Sequence, residues 1–303
     1  MGANRRDFFM YTGAALAAGL GAAKLAPAAE EGAARPRRAR RAPMTFRVAG
    51  RTGTIGRDGV EALAYAKGLG LEGVEYEAGL QGEALRCCDA EFQKAVLGAS
   101  KETGVVVSSI CMGHCNEFPV WADPRARGWI EGTIDATAAL GARHILVPFF
   151  GKGDLRAEGG NSPDATKRAK TIEVLKQVAG RAEAKGVALC IESYLEAPDV
   201  MAMAKEVGSP AVRAYYDIGN SAVRGYDVPQ EIRTLGKEYL AIVHFKDHDA
   251  LLGQGKIDMA AVRRALEEIG YEGWIVLETS GRPLGQEKSA VYNTAFIRGL
   301  FRG

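Results

Sequence analysis

A chain of 303 residues with 47% apolar and 25% charged side chains can bury a substantial core, so disorder is not the expectation beyond its front end. The formal charge of +2 is unevenly placed: residues 1–28 carry +2 and residues 29–43 carry +3, leaving −3 on the remainder, a balance that argues against nucleic acid as a partner. Cys87, Cys88, Cys111, Cys115 and Cys190 include no C-x-x-C pair, and Cys111-x-x-x-Cys115 around His114 lacks a second ligand pair, so no structural zinc knuckle is expected.

The N-terminus opens with Arg5-Arg6, an Ala/Gly-rich apolar stretch from Tyr11 to Ala23 and a small-residue Ala-Pro-Ala-Ala run. This resembles a twin-arginine export signal over residues 1–28, and it predicts a periplasmic or secreted protein. The apolar stretch is too short and too weakly hydrophobic to span a bilayer, and no later segment reaches that length, so the mature form is read as free of the membrane. Residues 29–43, with five arginines and no large apolar side chain, read as a solvated basic linker.

From residue 44 to 303 short β-rich runs alternate eight times with amphipathic segments of helical length. The runs are 45–50, 71–78, 105–112, 143–150, 187–193, 213–219, 240–245 and 273–279. The segment from Ser162 to Gly186 reads as a helix capped by Ser162, with Pro163 at its first position and Gly186 as its stop. Asp258 and Gly270 bracket another in the same way. Glycines at Lys67-Gly68, Leu140-Gly141 and Lys185-Gly186 read as repeated helix stops before the next strand. Neither a Gly-x-Gly-x-x-Gly turn nor a Walker motif is present, so nothing indicates a nucleotide cradle. Eight strand-helix units in this length predict a single-domain α/β fold, a (β/α)8 TIM barrel.

In such a barrel, polar side chains at the carboxyl ends of strands meet in one mouth. The last four runs each supply one: Glu192, Asp217, His244 and Glu278. Each follows an apolar run that would bury it, and an unpaired buried carboxylate costs several kcal/mol, roughly, unless a cation compensates. Together with the stretches HFKD, GQGKID and GYEGWIVLET, this set resembles the xylose isomerase-like barrel superfamily of sugar isomerases and epimerases, which also includes AP endonucleases. The resemblance covers roughly residues 44–300.

It implies that Glu192, Asp217, His244 and Glu278 hold one divalent metal ion. Mn2+ is the first choice for three carboxylates and one imidazole, and Mg2+, Zn2+, Co2+ or Ni2+ also fit. It further implies a small carbohydrate substrate and a proton transfer next to a carbonyl through a metal-stabilised enediolate, with Glu192 and Glu278 as the catalytic pair. Where epimerases of the family carry a histidine three residues after the aspartate ligand, this chain has Asn220; in place of a loop arginine it offers Lys246 and His248. These three, with Glu75 and His114, are the candidate substrate contacts. Alternatives stand beside several of them: Lys246 as an ion-pair partner of Asp247, Glu75 as a partner of an arginine at the mouth, and His114 as an ordinary loop residue. His144, at the start of its strand, reads as structural, and Phe118 and Trp121 as loop aromatics that either close over a sugar or pack the loop down.

Four histidines are too few for the trinuclear zinc site of an AP endonuclease. Two other readings remain open, a metal-dependent lyase that acts by β-elimination on 3-keto-glycosides and a sugar-binding protein without turnover. The exposed faces of the early helices leave room for a homo-oligomer.

Overall fold

The computed structural model describes residues 45–302; the export signal and basic linker expected at 1–28 and 29–43 lie outside the described residues. The β-rich runs form eight strands: β1 (Phe46–Arg51), β2 (Gly73–Glu77), β3 (Val106–Cys111), β4 (His144–Phe149), β5 (Ala188–Ser193), β6 (Val212–Asp217), β7 (Leu240–Phe245) and β8 (Gly273–Leu277). The segments between and after them supply α1 (Gly59–Leu69), α2 (Ala90–Thr103), α3 (Ala126–Ala139), α4 (Ala165–Lys185), α5 (Ala197–Val207), α6 (Val228–Tyr239), α7 (Met259–Glu268) and α8 (Gln286–Arg302). All eight strands run parallel, and β1 pairs with both β2 and β8, which closes the TIM barrel that the alternation predicts. A two-stranded hairpin, Leu80–Gln81 with Ala84–Leu85, decorates the loop after β2.

Strand periodicity sorts the side chains into two cores. One set, including Val48, Val74, Val107, Val147, Ile191, Val243 and Ile275, packs outward against the helices. The other, with Ala49, Leu146, Cys190, Tyr215, Ile242, Trp274 and Val276, fills the barrel. Trp274 lies at the end away from the mouth, with the Arg47 guanidinium 4.1 Å over its ring. Gly73 makes room for it, since a Cβ there would stand 2.7 Å from the indole.

Aspartates start many of the helices: Asp89, Asp164, Asp227 and Asp258 each accept a backbone N–H of the first turn. Two sequence expectations shift here. Asp164, not Ser162, caps α4, because its carboxylate takes two N–H groups while Pro163 sits in an extended bridge to Arg156. α1 runs past Gly68 to Leu69, and Gly70, at φ 76°, makes the left-handed exit. Gly186 and Asp258 act as predicted. All five cysteines are free. No described helix is long and apolar enough to cross a membrane.

Candidate metal centre

Register brings the strand-end residues together. Asp217 on β6 pairs laterally with His244 on β7, Glu192 lies on β5, and Glu278 follows β8 with its N–H bonded to the Phe245 carbonyl. One potential ligand atom from each of Glu192, Asp217, His244 and Glu278 falls within 4.8 Å of all the others. His244 is fully buried, and its Nδ1 faces Glu192 Oε1 at 3.1 Å, Glu278 Oε2 at 3.4 Å and Asp217 Oδ2 at 3.6 Å. Three carboxylate oxygens and one imidazole nitrogen this close together are a set that one divalent cation can bridge. The donor set therefore fits a hard or borderline metal ion.

Asp217 divides its two oxygens between two tasks. Oδ1 caps the short helix Ile218–Val223 by accepting the Gly219 and Asn220 N–H groups at 2.7 and 2.8 Å, which leaves Oδ2 for the centre. Helix capping thus accounts for only one oxygen of the pair.

The electrostatics favour a cation. Burial alone would lower the His244 imidazole, yet Glu278, Glu75 and Glu192, with a hydrogen bond to Asp217, raise it well above its ordinary value. Burial raises Glu192 to about 7, with Glu278 and Asp217 adding to the rise against the pull of His244. Burial would raise Asp217 too, but Lys246 and His244 hold it below the usual carboxylate range.

Lys246 lines the centre, with its Nζ 2.8 Å from Asp217 Oδ2 and 2.6 Å from Glu278 Oε2, so its partners are these two acids and not Asp247. Its stem lies over Gly219, where a Cβ would collide with it. Asp247 instead accepts the Lys256 N–H at 3.1 Å and anchors the loop that follows β7.

The candidate substrate residues divide. Asn220 and Lys246 line a cavity of about 190 Å³ beside the quartet, together with Arg51, Cys111, Asn116, Pro148, Phe150, Glu192, Tyr194 and Glu278. Glu75 does not reach it. It lies in the barrel interior, fully buried, with Oε1 at 3.1 Å from His244 Nε2 and Oε2 accepting Tyr215 Oη at 2.6 Å and Ser109 Oγ at 2.7 Å. Burial would raise this carboxyl, but His244, Arg51 and Tyr215 hold it down at about 2. The alternative that paired it with an arginine is met in part, since Arg51 Nε is 3.7 Å away.

His114 is absent from the cavity lining and packs edge-on against Trp129, with ring centroids 4.9 Å apart; burial lowers its imidazole to about 4. His248 is exposed in the turn between Asp247 and Ala250, also away from the lining. Phe118 packs on Trp129, and Lys167 sits over Trp121, so both aromatics hold their loop down. Sequence reading missed Arg51, which ends β1 and pairs with both Glu77 and Glu278.

A family model described as the xylose isomerase-like TIM barrel matches residues 63–300. The chain belongs to this family. Among curated relatives, the L-ribulose-5-phosphate 3-epimerase UlaE of Escherichia coli O157:H7 is 26% identical over 238 residues, 72% of this chain and 81% of that protein. Among solved structures, the 3-keto-D-glucoside 4-epimerase YcjR of E. coli superposes with a TM-score of 0.69 at 19% identity, over 84% of this chain and 100% of that one. D-psicose 3-epimerase of Clostridium cellulolyticum H10 gives 0.70 at 18% identity, over 84% of this chain and 99% of that one. These two share the fold of this member of the xylose isomerase-like family.

Proposed function

We propose that the protein is a divalent-metal-dependent sugar epimerase or isomerase that moves a proton on the carbon next to a ketose carbonyl. The observation that carries this reading is the convergence of Glu192, Asp217, His244 and Glu278 within 4.8 Å beside a small polar cavity. The sugar epimerases among its curated relatives support it.

When bound by these four residues, a divalent ion supplies positive charge for the oxygen that gathers negative charge as the carbon loses its proton. The chain's own groups do the rest. Glu278, ion-paired with Arg51 and Lys246, is the base that takes the proton. Glu192, which lines the cavity on β5, returns a proton from its own side. Phe150 and Tyr194, packed at 4.7 Å, offer the sugar an apolar wall. Asn116 and Asn220, in the same lining, add amides for the sugar's hydroxyl groups.

Solvent deuterium incorporation tests the reading. With Mn2+ present, ketoses should gain deuterium at the carbon beside the carbonyl without loss of any group, and Glu192→Gln or Glu278→Gln should abolish it. Release of a leaving group would point to a lyase, and binding without exchange to a sugar-binding protein. The Arg5-Arg6 pattern supports export of the folded enzyme, which cell fractionation of the full chain tests.

A further inference from the structure

A second hollow of about 550 Å³ adjoins the small cavity and shares Arg51 and Glu278 with it as a common wall. Its remaining lining is Thr52, Gly53, Thr54, Gly56, Arg57, Asp58, Glu77 and Thr279, drawn from the loop after β1 and the ends of β2 and β8. The inner cavity, at about 190 Å³, falls below the roughly 300–1,000 Å³ usual for small-molecule sites and suits one monosaccharide unit. A free ketose held there would leave the adjoining hollow unused.

The lining decides what kind of group fits the hollow. Its carboxylates, Asp58, Glu77 and Glu278, outnumber its guanidiniums, Arg51 and Arg57. Both arginines are already paired, Arg51 with Glu77 and Glu278 and Arg57 with Glu287 at 2.8 Å. A phosphate would find each lining guanidinium already held by a carboxylate, and the lining carboxylates in turn held by Arg51, Arg86 and Lys246. Three threonines offer hydroxyls, and the Thr279 hydroxyl has no hydrogen-bond partner although the residue is 93% buried. Gly53, where an added Cβ would meet nothing within 4 Å, lets a ring approach the backbone.

Resting on the proton-transfer reading above, we propose that the substrate is a ketose carrying a second, uncharged sugar ring. The ketose unit occupies the inner cavity and the glycosyl ring the threonine-lined hollow. Recognition is by hydroxyl groups meeting Thr52, Thr54, Thr279 and the Asp58 and Glu77 carboxylates, with no phosphate required.

The test compares fructose, fructose 6-phosphate and the glycosyl-fructoses lactulose and isomaltulose, each of which keeps its 3-hydroxyl free. Deuterium exchange with Mn2+ should give kcat/KM at least tenfold higher for a glycosyl-fructose than for fructose or fructose 6-phosphate. Gly53→Trp, where an added side chain starts in open space, should lower the ratio of lactulose to fructose kcat/KM at least tenfold. Thr279→Val, similar in shape but without the hydroxyl, should lower the same ratio, and circular dichroism and melting curves confirm that both variants are folded. Calorimetric binding of lactulose to the parent and to Gly53→Trp gives a readout that does not depend on turnover. If no sugar exchanges deuterium while lactulose binding is lost in Gly53→Trp, the reaction is misassigned and the subsite stands. A preference for fructose 6-phosphate, or ratios and lactulose binding unmoved by both variants, overturns the subsite.

Discussion

The Nε2 atom of His244 lies 3.1 Å from Glu75 Oε1, and both side chains are fully buried. The contact fixes which edge of the imidazole faces the mouth: Nε2–H donates inward to Glu75, and Nδ1 is left for the three carboxylates of the centre. Register irregularities at Val74/Glu75 and Ala214/Tyr215 fall on the two strands whose side chains meet in the 2.6 Å bond from Tyr215 to Glu75. Such irregularities re-aim side chains, so the support beneath His244 is built into the strands themselves.

Glu75→Gln should therefore weaken Mn2+ binding by roughly 10–100-fold, the usual loss when the outer partner of a metal-ligating histidine is removed. Calorimetry or chelator competition measures this, and an unchanged affinity would show that packing against Tyr215 suffices to orient the ring.

Asp217→Asn retains an oxygen that can cap the Ile218–Val223 helix and removes the charge beside Lys246. The expected outcome is a folded protein whose melting curve no longer shifts upward with added Mn2+. A parent-like shift in the variant would remove Asp217 from the ligand set.

Glu231 gives the stability its own pH dependence. This buried side chain accepts the Ala197 N–H at 2.7 Å at the start of α5. Burial raises its carboxyl to about 7 against that hydrogen bond, and Glu196, Asp199 and Asp227 add to the rise. The folded state thus holds the proton more tightly than the unfolded chain does, so the contribution is full below pH 4.5 and is lost as pH rises through 7. Glu231→Gln keeps an acceptor for Ala197 and removes the charge. It should be more stable than the parent by on the order of 1 kcal/mol at pH 8, after allowance for solvent screening, with little gain at pH 4.5 in urea unfolding.

The loop after β7 depends on a missing side chain. A Cβ at Gly255 would fall inside the Asp247 carboxylate, which holds the loop through the Lys256 N–H. Gly255→Ala should cost about 1–3 kcal/mol, read as a lower midpoint in denaturant with an unchanged slope.

The barrel and the quartet were legible in the sequence because both follow from short-range pattern: apolar runs with period two, each closed by a residue whose burial demands a partner. Depth along a strand was not. Glu75 and Glu77 share one face of β2, and only the register with β3 shows that the first lies inside the barrel and the second at its rim. Arg51 escapes the strand-end rule because the apolar run closes at Gly50, one residue short of the strand end. His114 and His248 stand out in the sequence by their chemistry alone. Their positions depend on how the loops after β3 and β7 pack, through Trp129 in one case and the Asp247–Ala250 turn in the other, and no local pattern encodes that.

Anomalous diffraction from crystals grown with Mn2+ reads the metal centre directly. A single strong peak bounded by Glu192, Asp217, Glu278 and the Nδ1 edge of His244, with Lys246 Nζ displaced from Asp217, is the expected result. No peak at that position, or a peak held by other side chains, would contradict it.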